Sequence, residues 1–123
     1  MIGYVTLGTN DIKKGAAFYD ALLSEIGAKR TMDFGTFIVW ANSKTGCGLA
    51  LTQPYDKKKA TVGNGVMVAI AAGSKANVDK LYAKAIALGG SDEGKPGPRG
   101  DGFYAGYFRD LEGNKLNAFY MGA

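Results

Sequence analysis

The chain has 123 residues, 46% hydrophobic and 21% charged, a balance that suits one soluble globular domain and excludes disorder and fibrous repeats. Its net charge of +4 comes mostly from scattered lysines, so no nucleic-acid partner is expected, and no apolar run approaches the ~20 residues a membrane helix needs. One cysteine, Cys47, rules out an intrachain disulfide, and the absence of histidine removes Ser-His catalysis, Cys-His catalysis and imidazole metal ligands.

Residues 2–8 are β-branched and alternating, which predicts a strand. Thr9, Asn10 and Asp11 supply cap side chains for a helix over 12–26. Ile12, Ala16, Tyr19, Leu22, Leu23 and Ile26 form its apolar stripe, and Gly27 suits a left-handed end. Strands are expected at 29–33, 36–41 and 48–53, with turns at 33–35 and 42–46. Residues 54–63 are polar, carry Lys57, Lys58 and Lys59, and read as a linker.

The pattern then restarts. A strand is expected at 66–72 and a helix at 75–88, opened by Gly73 and Ser74, with Val78, Leu81, Tyr82, Ala85 and Leu88 on one stripe. Gly89 and Gly90 end it. Strands follow at 91–95, 103–109 and 115–121. Residues 95–102 read as a Pro-Gly loop, and 110–114 as a hairpin turn with Gly113 at positive φ.

The two halves match at a fixed spacing. Tyr4 meets Met67, Val5 meets Val68, Tyr19 meets Tyr82 and Gly27 meets Gly90; further on, Leu49, Ala50 and Leu51 meet Leu116, Asn117 and Ala118. This argues for an internal repeat of two βαβββ units: module one at 1–53, a linker at 54–63 and module two at 64–123, together one domain. One face of each strand is bulky and aliphatic, suited to burial under a helix. The other is small or polar, and two such faces can line a cavity with Tyr4, Thr6, Ala50, Thr52, Met67, Ala69, Asn117 and Phe119. The alternative is a face left exposed or packed on a second chain.

Several strings resemble the vicinal oxygen chelate superfamily of glyoxalases, bleomycin-resistance proteins and extradiol dioxygenases. They are Val5-Thr6-Leu7-Gly8 with Asp11 and Phe18-Tyr19, then Gly63-Asn64-Gly65-Val66, Val78-Asp79, Gly89-Gly90 and Pro96-Gly97-Pro98-Arg99. The closing string Asp110-Leu111-Glu112-Gly113-Asn114-Lys115-Leu116 is the most specific. The resemblance implies an α+β fold, with two tandem βαβββ modules forming a curved mixed sheet around a cavity and helices outside. It also implies a divalent metal held from four strands. Tyr4, Ala50, Met67 and Asn117 stand at those four positions, and none is a good ligand for zinc, nickel or iron. No metal and no cofactor are therefore expected.

Asn117 can donate and accept hydrogen bonds, and Tyr4 can donate one. Lys115 shares strand parity with Asn117, which allows a Lys115–Tyr4 pair or a lysine that reaches solvent. Arg99 sits in the Pro-Gly loop, where it can clamp an anion or lie on the surface. Trp40, Phe37, Phe103, Tyr104 and Tyr107 are candidates to stack on a flat ligand, some of them necessarily core. Cys47 lacks a histidine to activate it. Three readings stay open. The first is a protein binding a small anionic or aromatic molecule. The second is a metal-independent lyase or isomerase using Tyr4 and Asn117. The third is a dimeric interaction module with no ligand. A homodimer suits all three. No membrane partner is expected; the single cysteine and the lack of a signal-like N-terminus fit a cytoplasmic protein.

Overall fold

A computed structural model describes residues 1–122; Ala123, the end of module two as read from sequence, lies outside the described residues. Module one runs β1 (Tyr4–Gly8), α1 (Ile12–Ser24), β2 (Lys29–Asp33), β3 (Phe37–Ala41) and β4 (Gly48–Thr52). Module two runs β5 (Val68–Ala71), α2 (Lys75–Ala87), β6 (Ser91–Pro98), β7 (Phe103–Arg109) and β8 (Lys115–Met121). These are two tandem βαβββ modules with helices packed on the outer face of mixed sheets.

Each module builds a four-stranded sheet, in the orders β1-β4-β3-β2 and β5-β8-β7-β6. The first strand pairs in parallel with the last, and the other neighbours run antiparallel. The repeat is visible in the register: Thr6 faces Ala50 in sheet one, and Ala69 faces Asn117 in sheet two. Both helices have 13 residues and the same kind of start. Asp11 caps Lys14 N–H and Ser74 caps Asn77 N–H, each satisfying one of the amides a helix start leaves free.

The helix-facing side chains form one core. Leu7, Leu51, Ile38 and Trp40 of sheet one join Leu116, Ala118 and Phe108 of sheet two, with Tyr19 and Leu22 of α1 and Val78 and Leu81 of α2 between them. The helices touch each other as well as their sheets. Gly15 and Phe18 are buried alongside the expected α1 stripe, because module two's turn covers that flank.

Three differences from the sequence reading have local causes. The second helix ends on Gly89, at φ 102°, whereas Gly90 is a site of close approach: a Cβ there would stand 2.6 Å from the Arg109 carbonyl. β6 continues through Pro98 into the expected loop. An edge strand tolerates proline because one flank needs no N–H, and the two register shifts around Gly94 absorb the irregularity. β5 is shorter than expected, starting at Val68, since Gly63 to Gly65 still turn the chain.

Candidate functional site

Opposite its helix, each sheet has a bare face. On sheet one it is apolar and aromatic. Tyr4 is 59% exposed and meets Phe37 edge-on, ring centroids 6.0 Å apart, and Phe37 leans on Phe34 at 6.5 Å. Thr6, Ala50 and Val39 form the middle row, and the last two are buried, each with a strand on either side. Thr52 lies opposite Phe37.

The linker borders this face. Ala60 is held by Asn10, whose Oδ1 accepts its N–H at 2.7 Å and whose amide donates to its carbonyl at 3.3 Å. Gly8 makes the approach possible, since a Cβ there would lie 3.2 Å from the Ala60 methyl. A cleft of about 890 Å³ results, walled by Thr6, Phe37 and Thr52 on one side and Tyr55, Lys57 and Lys59 on the other. The sequence marked this stretch only as a linker; the Asn10–Ala60 tether that turns its lysines into a wall is a long-range contact with no local signal.

On sheet two the bare face is cationic at one end and apolar at the other. Lys115 and Arg109 are opposite each other, then Asn117 and Tyr107, then Phe119 and Ala105. Phe103 stacks on Phe119 at 5.7 Å. Arg109 is paired with Glu93 and also donates to the Gly113 carbonyl at 2.8 Å. That arginine holds the Glu93 carboxyl below the usual carboxylate range. Arg99 folds back over β6, donating to the Lys95 and Pro98 carbonyls, and its guanidinium stands 5.6 Å from the centre of the Tyr107 ring. Lys115 Nζ stands 5.7 Å from the same centre. Asn117 is 2% exposed, and its Oδ1 has no hydrogen-bond partner among the described residues.

The turn before β8 joins the modules. Tyr19 donates to Asp110 Oδ2 at 2.5 Å, and the other Asp110 oxygen accepts the N–H groups of Glu112 and Asn114. Asn114 donates to both Asp110 and the Gly8 carbonyl, while Glu112 takes hydrogen bonds from Thr9 and Asn10. Burial raises the Tyr19 hydroxyl pKa well above its ordinary value, and the Asp110 charge raises it further. The sequence showed Asp110 and Asn114 only as turn residues. Their reach to α1 and β1 was signalled by nothing except a tyrosine within an aliphatic stripe.

The nine candidate residues thus fall into two groups. Tyr4, Thr6, Ala50 and Thr52 share the face of sheet one. Lys115, Asn117 and Phe119 share that of sheet two, with Arg99 folded over its β6 side and Met67 exposed just before β5. No strand of one sheet pairs with a strand of the other among the described residues. Lys115 stands over Tyr107 rather than beside Tyr4, and Tyr4 contacts Phe37. Of the aromatic candidates, Trp40 is core and Tyr104 bonds Asp79 of α2, while Phe37, Phe103 and Tyr107 remain on the bare faces.

The four positions where the resemblance implies a metal do not fit one. A phenol, a methyl group, a thioether and a neutral amide offer no anionic or imidazole donor. Among the described residues no three His, Cys, Asp or Glu side chains gather to hold a cation.

The glyoxalase/bleomycin resistance protein/dioxygenase superfamily model matches residues 1–118. A crystal structure of a glyoxalase/bleomycin resistance protein from Albidiferax ferrireducens is 33% identical, covers 99% of each chain and superposes with a TM-score of 0.91. A lactoylglutathione lyase from Agrobacterium tumefaciens shares the fold at 22% identity and a TM-score of 0.70, over 97% of this chain and 92% of that one. A putative glyoxalase from Bacillus halodurans does so at 21% and 0.78, over 97% and 94%. No curated protein matches. With the repeat, the strand register and the closing turn in place, the chain belongs to the glyoxalase/bleomycin resistance protein/dioxygenase superfamily, and it does so without that fold's metal ligands.

Proposed function

We propose that this protein binds a small molecule without a metal, on its bare sheet faces, in a cavity that a second copy of the chain completes. The observation that carries this reading is the pair of uncovered faces opposite the helices, each ending in a free strand edge. Among the described residues β1 pairs only with β4, and β5 only with β8. An unpaired edge presents N–H and C=O groups that another strand can satisfy. A second copy that adds its β1 beside β5 brings an aromatic face next to a cationic one. Such a cavity, with aromatic walls and a few convergent polar groups, has the make-up of a small-molecule site. Module one, the linker and module two then act as one domain.

Binding is favoured over turnover because the bases within reach are engaged. The chain has no histidine, Glu93 is paired with Arg109, and Lys115 stands over Tyr107 rather than beside Tyr4. The test is sedimentation of the purified protein together with thermal shifts against small aromatic acids. A dimer with a raised melting temperature is expected, the rise shrinking in Tyr4→Phe and Asn117→Ala. A dimer that no compound stabilises points instead to an interaction module. Turnover lost in Tyr4→Phe with binding retained points to a lyase or isomerase, and stoichiometric metal in the purified protein overturns the reading.

A further inference from the structure

Module two's bare face is graded in a way that specifies a ligand more narrowly than "small and anionic or aromatic". At the level of Tyr107, two cations flank a single ring, Arg99 at 5.6 Å and Lys115 at 5.7 Å from its centre. Among the described residues neither is in an ion pair. The nearby carboxylates are occupied: Glu93 by Arg109, and Asp92 by the Tyr82 hydroxyl and the Gly94 N–H. Arg99 spends N–H groups on two carbonyls, and a guanidinium has five, so donors remain for an anion.

Directly across from Tyr107 stands Asn117, on the face away from α2. Asn117 is 2% exposed, and among the described residues its Oδ1 lacks a partner. A buried amide oxygen with no donor is uncommon and carries a desolvation cost the fold itself does not recover. Two residue pairs further along, the next on this face, comes the apolar end, where Phe119 stacks on Phe103. Same-face residues on a strand are separated by about 7 Å, so charge and acceptor meet at one level of this face and the aromatic surface follows one step on, a span that a small organic molecule covers. Gly94, Gly97 and Ala105 keep the neighbouring floor low.

We infer that this face reads an aryl or acyl carboxylate carrying an N–H or O–H between its acid group and its apolar group, as an N-acylated amino acid does. Arg99 and Lys115 hold the acid beside Tyr107. Asn117 Oδ1 accepts the hydrogen bond, and Phe119 with Phe103 receives the apolar end. The inference rests on the cavity reading above and adds to it the order of groups along the ligand.

Three matched probes test it. N-benzoylglycine has the carboxylate and the N–H. 3-Benzoylpropionate replaces that N–H by a methylene. N-benzoylglycinamide keeps the N–H and loses the charge. In amide-resolved NMR titrations, N-benzoylglycine should shift residues 103–109 and 115–121 and bind about tenfold more tightly than either analogue. Asn117→Leu, close in volume, should erase the difference between the first two probes. Arg99→Gln and Lys115→Gln should each weaken the carboxylates about three- to tenfold and leave the amide probe unmoved. The ligand series needs no variant to fold. Equal binding of the charged and uncharged probes on the same residues overturns the anion assignment and leaves the cavity standing. If none of the three shifts either bare face, both fall.

Discussion

The two modules are the same construction filled with opposite choices. Strand register, helix length and cap position repeat from one to the other. In the core, module one sets Gly15 of α1 against Leu51 of β4, whereas the matching positions of module two hold Val78 and Ala118. The volume has moved from strand to helix. The turns before the last strands diverge further. In module two, Asp110 binds α1, Asn114 binds β1 and Glu112 binds the loop between them; in module one, Ser43 accepts only the N–H of Gly46 in its own turn. The bare face of module one is aromatic, and that of module two is cationic at one end and aromatic at the other. A repeat therefore preserves backbone geometry while its packing, its interface and its surface chemistry drift independently.

Breaking the asymmetric turn should give the largest effect. Asp110→Ala strands the Tyr19 hydroxyl, two turn N–H groups and the Asn114 amide in a nearly closed site. Urea unfolding should show a loss of about 3–5 kcal/mol. The counterpart Ser43→Ala, exposed and local, should stay within about 0.5 kcal/mol. Equal losses would mean that the acidic turn does not join the modules.

The volume exchange gives the next largest effect. A Cβ on Gly15 would lie 2.7 Å from Leu51 Cδ2, so Gly15→Val alone should cost about 1–3 kcal/mol by overpacking. Leu51→Ala alone should cost about 2–5 kcal/mol by leaving a cavity. Made together they copy module two, and the pair should cost at least about 1 kcal/mol less than the sum of the two singles. Additive losses in chemical denaturation would show that the exchange is coincidental.

Much of this architecture was legible because it rests on local or periodic signals. The apolar stripes, the caps at Asp11 and Ser74 and the restart at Val66 are written in short windows, and they place every helix and strand within a few residues. The parity of β1, β4 and β8 likewise put Tyr4, Thr6, Ala50, Thr52, Asn117 and Phe119 on the faces away from the helices. What was hidden is the relation between distant segments. Nothing local says that Tyr19 meets Asp110, that Asn10 holds Ala60, or that Arg99 folds onto Tyr107. Nor does periodicity say whether two faces lie on one sheet or two, since both arrangements bury the same stripes.

Tyr19 links the modules in a way that pH can probe. Its hydroxyl pKa is raised in the fold by burial and by Asp110, so the neutral phenol is the form that the native state favours. Its contribution is complete below the ordinary tyrosine pKa of about 10 and is lost as pH rises beyond it. Stability measured from pH about 8 to 11 should fall more steeply in the native protein than in Tyr19→Phe. Parallel curves would assign the alkaline loss to other groups.

The smallest effect separates two ways of fastening a helix to its edge strand. Module one uses charge: Arg30 of β2 grips both oxygens of Asp20 on α1, at 2.9 and 2.7 Å. Module two uses a neutral donor: the Tyr82 hydroxyl of α2 bonds Asp92 of β6 at 2.7 Å. Both aspartates are held below their ordinary pKa, Asp20 chiefly by the Arg30 hydrogen bonds and Asp92 chiefly by Tyr82. Each tie is therefore present above pH about 4 and lost as the pH falls below it. Salt should tell them apart. Arg30 and Asp20 are over a third exposed, so solvent screening limits their tie to under about 1 kcal/mol, and molar salt should reduce it further. The Tyr82 bond should be nearly indifferent to salt. Trp40 offers a local readout, because its Nε1 donates to Asp20 at 2.8 Å. Its emission should shift on acidification and in Arg30→Gln, and hold steady in Tyr82→Phe. Emission that follows Tyr82 as closely as Arg30 would mean that the two fastenings act through one shared core.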